Sequence, residues 1–193
     1  LDPESNIVYI FSKDEVTGLS MRKEPARSNM DYINASGGEG AGRIAVDNLP
    51  IIRPPWGQIS AIDLNKGTIL WQTVHGETDD AVKNHPALKG LTIPRTGRQG
   101  RIGVLATKSL VIAGEGGFAT QANGQRGAML RAYDKKTGAE VGAVLMPAAI
   151  SGSPMTYSVN GRQYIIVAVS GGNYTGEYIA YALPQSELPR SGN

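Results

Sequence analysis

The sequence predicts an all-β fold assembled from repeated antiparallel sheets, and three observations carry that reading. Sustained amphipathic helical periodicity is absent, and short apolar or alternating runs recur instead, each bounded by Gly, Asn, Asp or Lys. Glycine is abundant, at 25 of 193 residues, while aromatic residues are sparse at 6%, a balance that favours turns and tight strands over helices. One pattern occurs twice. "AIDLNKGTILW" (61–71) and "AYDKKTGAEVG" (132–142) share Ala, Asp and Gly at identical spacing, and the Trp that ends the first copy is a Gly in the second.

Taken in order, "NIVYIFS" (6–12) reads as a strand introduced by the turn "DPES". "GQISAIDL" (57–64) and "GTILWQTV" (67–74) form a hairpin across "NKG". "RIGVLAT" (101–107) and "SLVIAGEG" (109–116) follow, and "GAMLRAYD" (127–134) pairs with "GAEVGAVLM" (138–146) across "KKTG". "SPMTYSV" (153–159), "RQYIIVAVS" (162–170) and "EYIAYAL" (177–183) complete the series. In the repeated pattern the Asp caps backbone N–H groups of the turn, and the Gly supplies a positive φ. The Ala leaves room for a large neighbour, so the Trp is expected to dock one unit on the next. A repeated sheet that docks on its neighbour predicts a radial repeat, a β-propeller.

Grouped around the two hairpins, the strands fall into a three, four, three arrangement: about 1–74 with a long loop, 101–146 complete, and 150–184 incomplete, followed by a polar tail at 185–193. Ten strands do not close a propeller, which needs at least about four blades of four strands. The chain begins Leu-Asp-Pro, and the strand count predicts a piece of something longer.

Bulk chemistry excludes several partners. Net charge is +2 with scattered basic residues, which argues against a nucleic-acid footprint and against electrostatic membrane attraction. No apolar run approaches the roughly 20 residues of a membrane span. The absence of Cys removes disulfides, thiolate metal sites and C-x-x-C-H haem attachment.

"PPWGQISAIDLNKGTILW", "MLRAYDKKTGAEVGAVLMPAAISGSPMTY" and "NGRQYIIVAVSGGNYTGEYIAYALP" together resemble the pyrroloquinoline quinone (PQQ)-dependent dehydrogenases, eight-bladed quinoproteins. The "YIAYALP" ending is similar to that of the glucose-dehydrogenase-like branch. The resemblance covers nearly all of 54–184 and, more loosely, 1–53. It implies part of an eight-bladed β-propeller holding one complete four-stranded blade flanked by two incomplete ones. It also implies a periplasmic enzyme that oxidises an alcohol or sugar hydroxyl with PQQ and Ca²⁺ and passes electrons to a quinone or cytochrome c. Most of that family's catalytic machinery, which comprises a catalytic Asp base, the Ca²⁺ ligands and an aromatic platform, lies upstream of the matched part. No residue here is assigned to them, and the chain alone is not expected to turn over substrate.

What the resemblance does map is the last part of the cofactor pocket. The loop "TGRQGRIG" (96–103) brings Arg98, Gln99, Gly100 and Arg101, and the turn "SGGN" (170–173) brings Gly171, Gly172 and Asn173. PQQ carries three carboxylates, so guanidinium forks and open backbone N–H groups suit it. The glycine pair suits a flat ring, and Asn173 can hydrogen-bond a quinone or substrate oxygen. Three departures stand out: Asn173 where Trp or His is common, an insertion "GGFATQANGQRG" (116–127) in place of a shorter turn with an Asp, and Gly142 at the Trp position.

Other tempting residues have plainer expectations. Asp63 and Asp134 are expected to cap turns, Trp56 to pack, and His75 and His85 to lie in a solvated polar loop with Glu77, Asp79 and Asp80. "GEGG" (114–117) lacks the helix of a phosphate loop. The alternative class is a non-catalytic propeller scaffold of the outer-membrane-assembly type that binds protein partners. A scaffold has no reason to keep a cationic, glycine-lined pocket, so "TGRQGRIG" and "SGGN" favour the enzyme.

Overall fold

In the computed structural model, which describes residues 1–35 and 42–184, three antiparallel sheets follow one another along the chain. The polar tail at 185–193 lies outside the described residues. In the first sheet Ile7–Lys13 pairs with Gly57–Asp63, which pairs with Thr68–Val74. The middle sheet runs Val104–Ala106, Leu110–Gly114, Arg126–Asp134 and Glu140–Met146, each antiparallel to the one before. In the third sheet Met155–Val159, Arg162–Gly171 and Tyr174–Ala182 pair in order. The ten expected strands are all present, with ends shifted by at most about three residues, as fraying pairs at strand ends allow.

Both copies of the repeated pattern form the expected turn. Asp63 Oδ1 accepts from the backbone N–H of Asn65 (2.9 Å) and Lys66 (3.2 Å). Asp134 Oδ1 accepts from Lys136 (3.0 Å) and Thr137 (2.8 Å). Gly67 and Gly138 take φ of +66° and +73°. The two hairpins even share a β-bulge, after Ala61 in one and after Ala132 in the other.

Strand alternation sends the two faces of the middle sheet to different neighbours. Val111, Ala113 and Tyr133 join Tyr9, Ile59 and Ala61 of the first sheet in one buried cluster. Ile112, Ala128, Leu130 and Met146 join Ala148, Ala149, Ile150, Val167 and Val169 in a second. Trp71 lies opposite Ala61 in the hairpin register and packs against Tyr9 with the rings tilted by 34° and their centroids 5.8 Å apart. Its Nε1 donates to the Lys135 carbonyl at 3.1 Å, so it docks the first sheet on the turn of the second, as expected.

Between the first two strands the described residues make two-residue bridges: Thr17–Gly18 with Gly42–Arg43, Met21–Arg22 with Ile33–Asn34, and Ala45–Val46 with Leu49–Pro50. The loop 75–97 holds a one-turn helix, Asp80–Lys83, capped by Asp79, and a 3₁₀ turn, Pro86–Leu88, capped by His85. One expectation is corrected here. His75 is fully buried rather than solvated, because it closes the end of its strand against the middle sheet. Its backbone N–H donates to Gly57 O at 3.0 Å. Thr78 and Thr96 are buried beside it in the same loop.

Candidate functional site

A cavity of about 490 Å³ opens where the loops before and after the first hairpin meet the Gly114–Phe118 segment. Arg43, Trp56, Asp79, Arg98, Gln99 and Gly117 are among its lining residues. Glycines thread Arg98 into place. A Cβ on Gly57 would sit 2.2 Å from Arg98 O, and one on Gly76 would sit 2.8 Å from Arg98 Cβ. The Arg98 N–H donates to His75 O at 2.9 Å, so the segment is hydrogen-bonded into the slot those glycines leave. Gly117 clears the head of the side chain, since a Cβ there would meet Arg98 Nε at 2.6 Å.

The Arg98 guanidinium faces one carboxylate, with Nη2 3.3 Å from Asp79 Oδ2. Among the described residues its Nη1 is buried without a hydrogen-bond partner. Leaving such a donor unmet costs about 1–3 kcal/mol or more for a charged group, so the geometry suits an anionic acceptor arriving from the cavity. Arg43, from the short Gly42–Arg43 bridge, adds a second cation. Trp56 packs, as expected, and is 92% buried with Nε1 donating to Ile52 O at 3.0 Å, yet it also walls the cavity.

The remaining expected residues distribute unevenly. Gln99 lines the cavity while its Nε2 donates to Asp14 O at 2.7 Å. Gly100 is held against Gly116, where a Cβ on either would meet the other's Cα at 3.2 or 3.0 Å. Arg101 is exposed. Gly171, Gly172 and Asn173 border a separate, more open concavity with Phe118, Arg126 and Tyr174. Conformation rather than crowding requires that glycine pair, since φ is +129° and +61° and no described residue lies within 4 Å of either Cβ position. Gly117 and Phe118 are adjacent in the chain, so one short segment forms a wall of each hollow.

Behind that segment lies a polar core that sequence reasoning missed. Glu115 is fully buried. Its Oε1 accepts from Glu77 N (3.1 Å) and Arg131 Nε (2.9 Å), and its Oε2 accepts from Met129 N (3.0 Å) and Gln121 Nε2 (3.1 Å). Arg131 also donates to Gln121 Oε1 at 2.9 Å and Glu140 Oε1 at 2.8 Å. Burial opposes the Arg131 charge, but Glu115 and Glu140 outweigh it and raise the pKa. Beside this core His75 Nε2 lies 3.2 Å from Gly114 O, which only accepts, so Nε2 carries the proton. Nδ1 therefore accepts from Tyr133 OH at 2.8 Å. Burial, partly offset by the Gly114 bond, lowers the imidazole pKa to about 4 and keeps it neutral.

The inserted segment 116–127 folds as a small hairpin, with Ala119–Thr120 pairing Arg126 and Gly127. Thr120 N donates to Asp80 Oδ1 at 2.8 Å, and Lys83 Nζ donates to Thr120 O, tying the insertion to the one-turn helix.

Comparisons with known proteins agree with this architecture. Residues 2–165 match the family model described as "PQQ: Glucose/ethanol/alcohol dehydrogenase, beta-propeller domain". The chain is 31% identical over 144 residues to quinoprotein glucose dehydrogenase A of Acinetobacter calcoaceticus, covering 72% of this chain and 17% of that protein. It is 33% identical over 144 residues to the glycerol dehydrogenase large subunit of Gluconobacter thailandicus, covering 69% of this chain and 18% of that one. The chain thus spans less than a fifth of the length of these relatives. The crystal structure of quinohemoprotein alcohol dehydrogenase from Comamonas testosteroni superposes with a TM-score of 0.58 at 18% identity, over 100% of this chain and 26% of that one. That likeness speaks to the fold alone. On the match over residues 2–165, the chain belongs to the PQQ-dependent glucose/ethanol/alcohol dehydrogenase β-propeller family.

Proposed function

We propose that this chain forms the C-terminal part of an eight-bladed propeller in a periplasmic quinoprotein dehydrogenase, and that its Arg98 cavity is one wall of the PQQ site. Three carboxylates on the cofactor ask for fixed cations, and Arg98 offers a glycine-cradled guanidinium with a buried, unmet donor. That unmet donor is the observation that carries the reading. Arg43 supplies further positive charge, Trp56 an apolar wall, and the Gly116–Gly117 backbone a close approach. When bound, PQQ supplies a quinone that takes two electrons from an alcohol or sugar hydroxyl. The residues here bind and orient it. The catalytic base and the Ca²⁺ ligands belong to other parts of the full protein, so the 193 residues alone are not expected to turn over substrate.

Asn173 borders the neighbouring hollow with Phe118, which supports assigning it to the substrate rather than to the cofactor carboxylates. Electrons then pass to a quinone or cytochrome c, an assignment supported by the family alone. Calorimetric titration of the full-length apo-enzyme with PQQ tests the reading. Arg98→Ala is expected to weaken PQQ binding roughly tenfold to a hundredfold, the loss of one charge-assisted hydrogen bond, whereas Arg101→Ala leaves it unchanged. An unchanged dissociation constant for Arg98→Ala would make the 96–103 loop a connector and favour the scaffold class.

A further inference from the structure

We infer that Glu115, held by Arg131, is a positioning residue for the Arg98 cavity: it sets the two loops that aim the Arg98 guanidinium without lining the cavity itself. The inference rests on the reading of that cavity as the PQQ site.

Three chain segments converge on one buried carboxylate. Through Oε1, Glu115 holds the backbone N–H of Glu77, two residues before Asp79, the carboxylate that pairs with Arg98. Through Oε2 it holds Met129 N and the Gln121 side chain, fixing the base of the inserted hairpin. Its own backbone is clamped, with its N–H donating to Met129 O at 2.8 Å and its carbonyl accepting from Ile150 N at 3.0 Å. The next two residues are Gly116, in contact with Gly100, and Gly117, in contact with the head of Arg98. Thus a rotation of Glu115 displaces the glycine wall on one side of Arg98 and the Asp79 loop on the other. Arg131 keeps Glu115 in place, and Arg131 is itself anchored to Glu140 on the outermost strand of the middle sheet.

The arrangement is costly for a purely structural purpose. A buried ion pair often breaks even against apolar packing of the same volume, so four donors gathered on one carboxylate mark a place where geometry matters more than stability. The ladder is charge-balanced, with Arg95 and Arg131 facing Glu140 and Glu115, and Lys83 facing Glu77. Arg98 itself pairs with Asp79, outside that ladder.

The test is a double-mutant cycle on the full-length enzyme, reading the PQQ dissociation constant and turnover at saturating PQQ. Glu115→Gln keeps the shape but replaces one acceptor oxygen with a donor, so the Glu77, Gln121, Met129 and Arg131 donors are no longer all met. In the otherwise native enzyme it should weaken PQQ binding roughly fivefold to tenfold, with turnover at saturation preserved. In an Arg98→Ala background it should add little, since the side chain it positions is gone. Equal loss in both backgrounds, or no loss in the native one, overturns the inference. A silent Arg98→Ala overturns the cavity reading beneath it instead. Should Glu115→Gln not fold, Gln121→Met, which removes a single spoke of the same core, is run through the same cycle with the same criteria.

Discussion

The two seams between the three sheets are built from the same elements and finished differently. At the first, Trp71 stands opposite Ala61 and covers the turn of the next hairpin so closely that a Cβ on Gly138 would lie 2.5 Å from its ring. At the second, Ala132 stands opposite Gly142, no Trp occupies the docking position, and a groove of about 530 Å³ remains, lined by Ile112, Leu130, Gly142, Gly161 and Tyr181 among others. The Asp-capped turns are nonetheless equivalent in the two hairpins. The repeated pattern is therefore two separable devices, a turn closed by Asp and Gly and a dock supplied by Trp. Gly138 needs to be Gly for two reasons, its φ and the indole above it, whereas Gly67 has only the first, with nothing within 4 Å of its Cβ position. The first seam also carries the buried His75–Tyr133 hydrogen bond, while the second packs Ile112, Leu130 and Met146 against Ile150, Val167 and Val169.

The sharpest way to break this comparison is Trp71→Ala. It empties an aromatic site on a buried cluster and removes the indole donor from the Lys135 carbonyl, leaving that oxygen the longer bond from Tyr9 OH at 3.4 Å. The expected cost is about 3–4 kcal/mol, the lower part of the range for a large aromatic because the outer edge of Trp71 is only half-buried. Denaturant titration of the full-length protein reads it, and a loss below about 1 kcal/mol would mean that the indole is not the dock.

A second measurement separates the seams by pH. The folded-state pKa of His75 is lowered from 6.5 to about 4, so between those values the unfolded chain binds a proton that the folded one refuses. Stability is therefore full above about pH 6.5, falls as pH drops towards 4, and is independent of this group below that. A shift of this size is worth up to about 3 kcal/mol. The loss should appear as faster amide exchange at the first seam, around Val111 and Tyr133, before the second, around Val167 and Val169. His75→Gln should flatten the slope; identical pH slopes in the two proteins would show that His75 does not govern acid lability.

How much of this was legible beforehand follows the physics of each element. The ten strands were readable because period-two burial and Asp, Asn and Gly turns are local signals. The bridges between residues 17 and 50 were not, since two-residue pairings such as Met21–Arg22 with Ile33–Asn34 have no period to detect. Arg98 and Arg101 look alike in "TGRQGRIG", and what separates them is which one passes between Gly57 and Gly76, a long-range fact. The loop carrying His75 read as polar because its sequence is polar, although strand closure buries the imidazole. Glu115 was hidden within a glycine run, yet a signal for its partner existed. Arg131 falls in phase with Tyr133 on an alternating strand, and an arginine on a core-facing phase asks for a buried carboxylate.

The smallest expected effect sharpens the comparison from the open side. If the second seam lacks only its dock, supplying one should stabilise it. Among the described residues nothing lies within 4 Å of the Gly142 Cβ position, and Gly142 borders the groove, so Gly142→Trp can enter without displacing described backbone. Two gains add: burial of part of an indole against Ile112, Leu130 and Tyr181, and relief of the β-strand entropy cost of Gly. Two costs subtract: immobilising the new side chain and leaving part of its ring wet, because most of the Glu140–Met146 strand is exposed. The balance is a stabilisation of about 1 kcal/mol, well short of what Trp71 contributes, since no carbonyl equivalent to that of Lys135 is seen waiting for the indole N–H among the described residues that line the groove. Gly142→Ala serves as the reference, carrying the entropy gain without the indole. A higher unfolding midpoint for Gly142→Trp than for Gly142→Ala would show that the groove is an unfilled docking site. Equal midpoints, or a lower one for the Trp variant, would show that the second seam is packed for a different neighbour and that the two halves of the repeated motif have diverged in purpose as well as in residue.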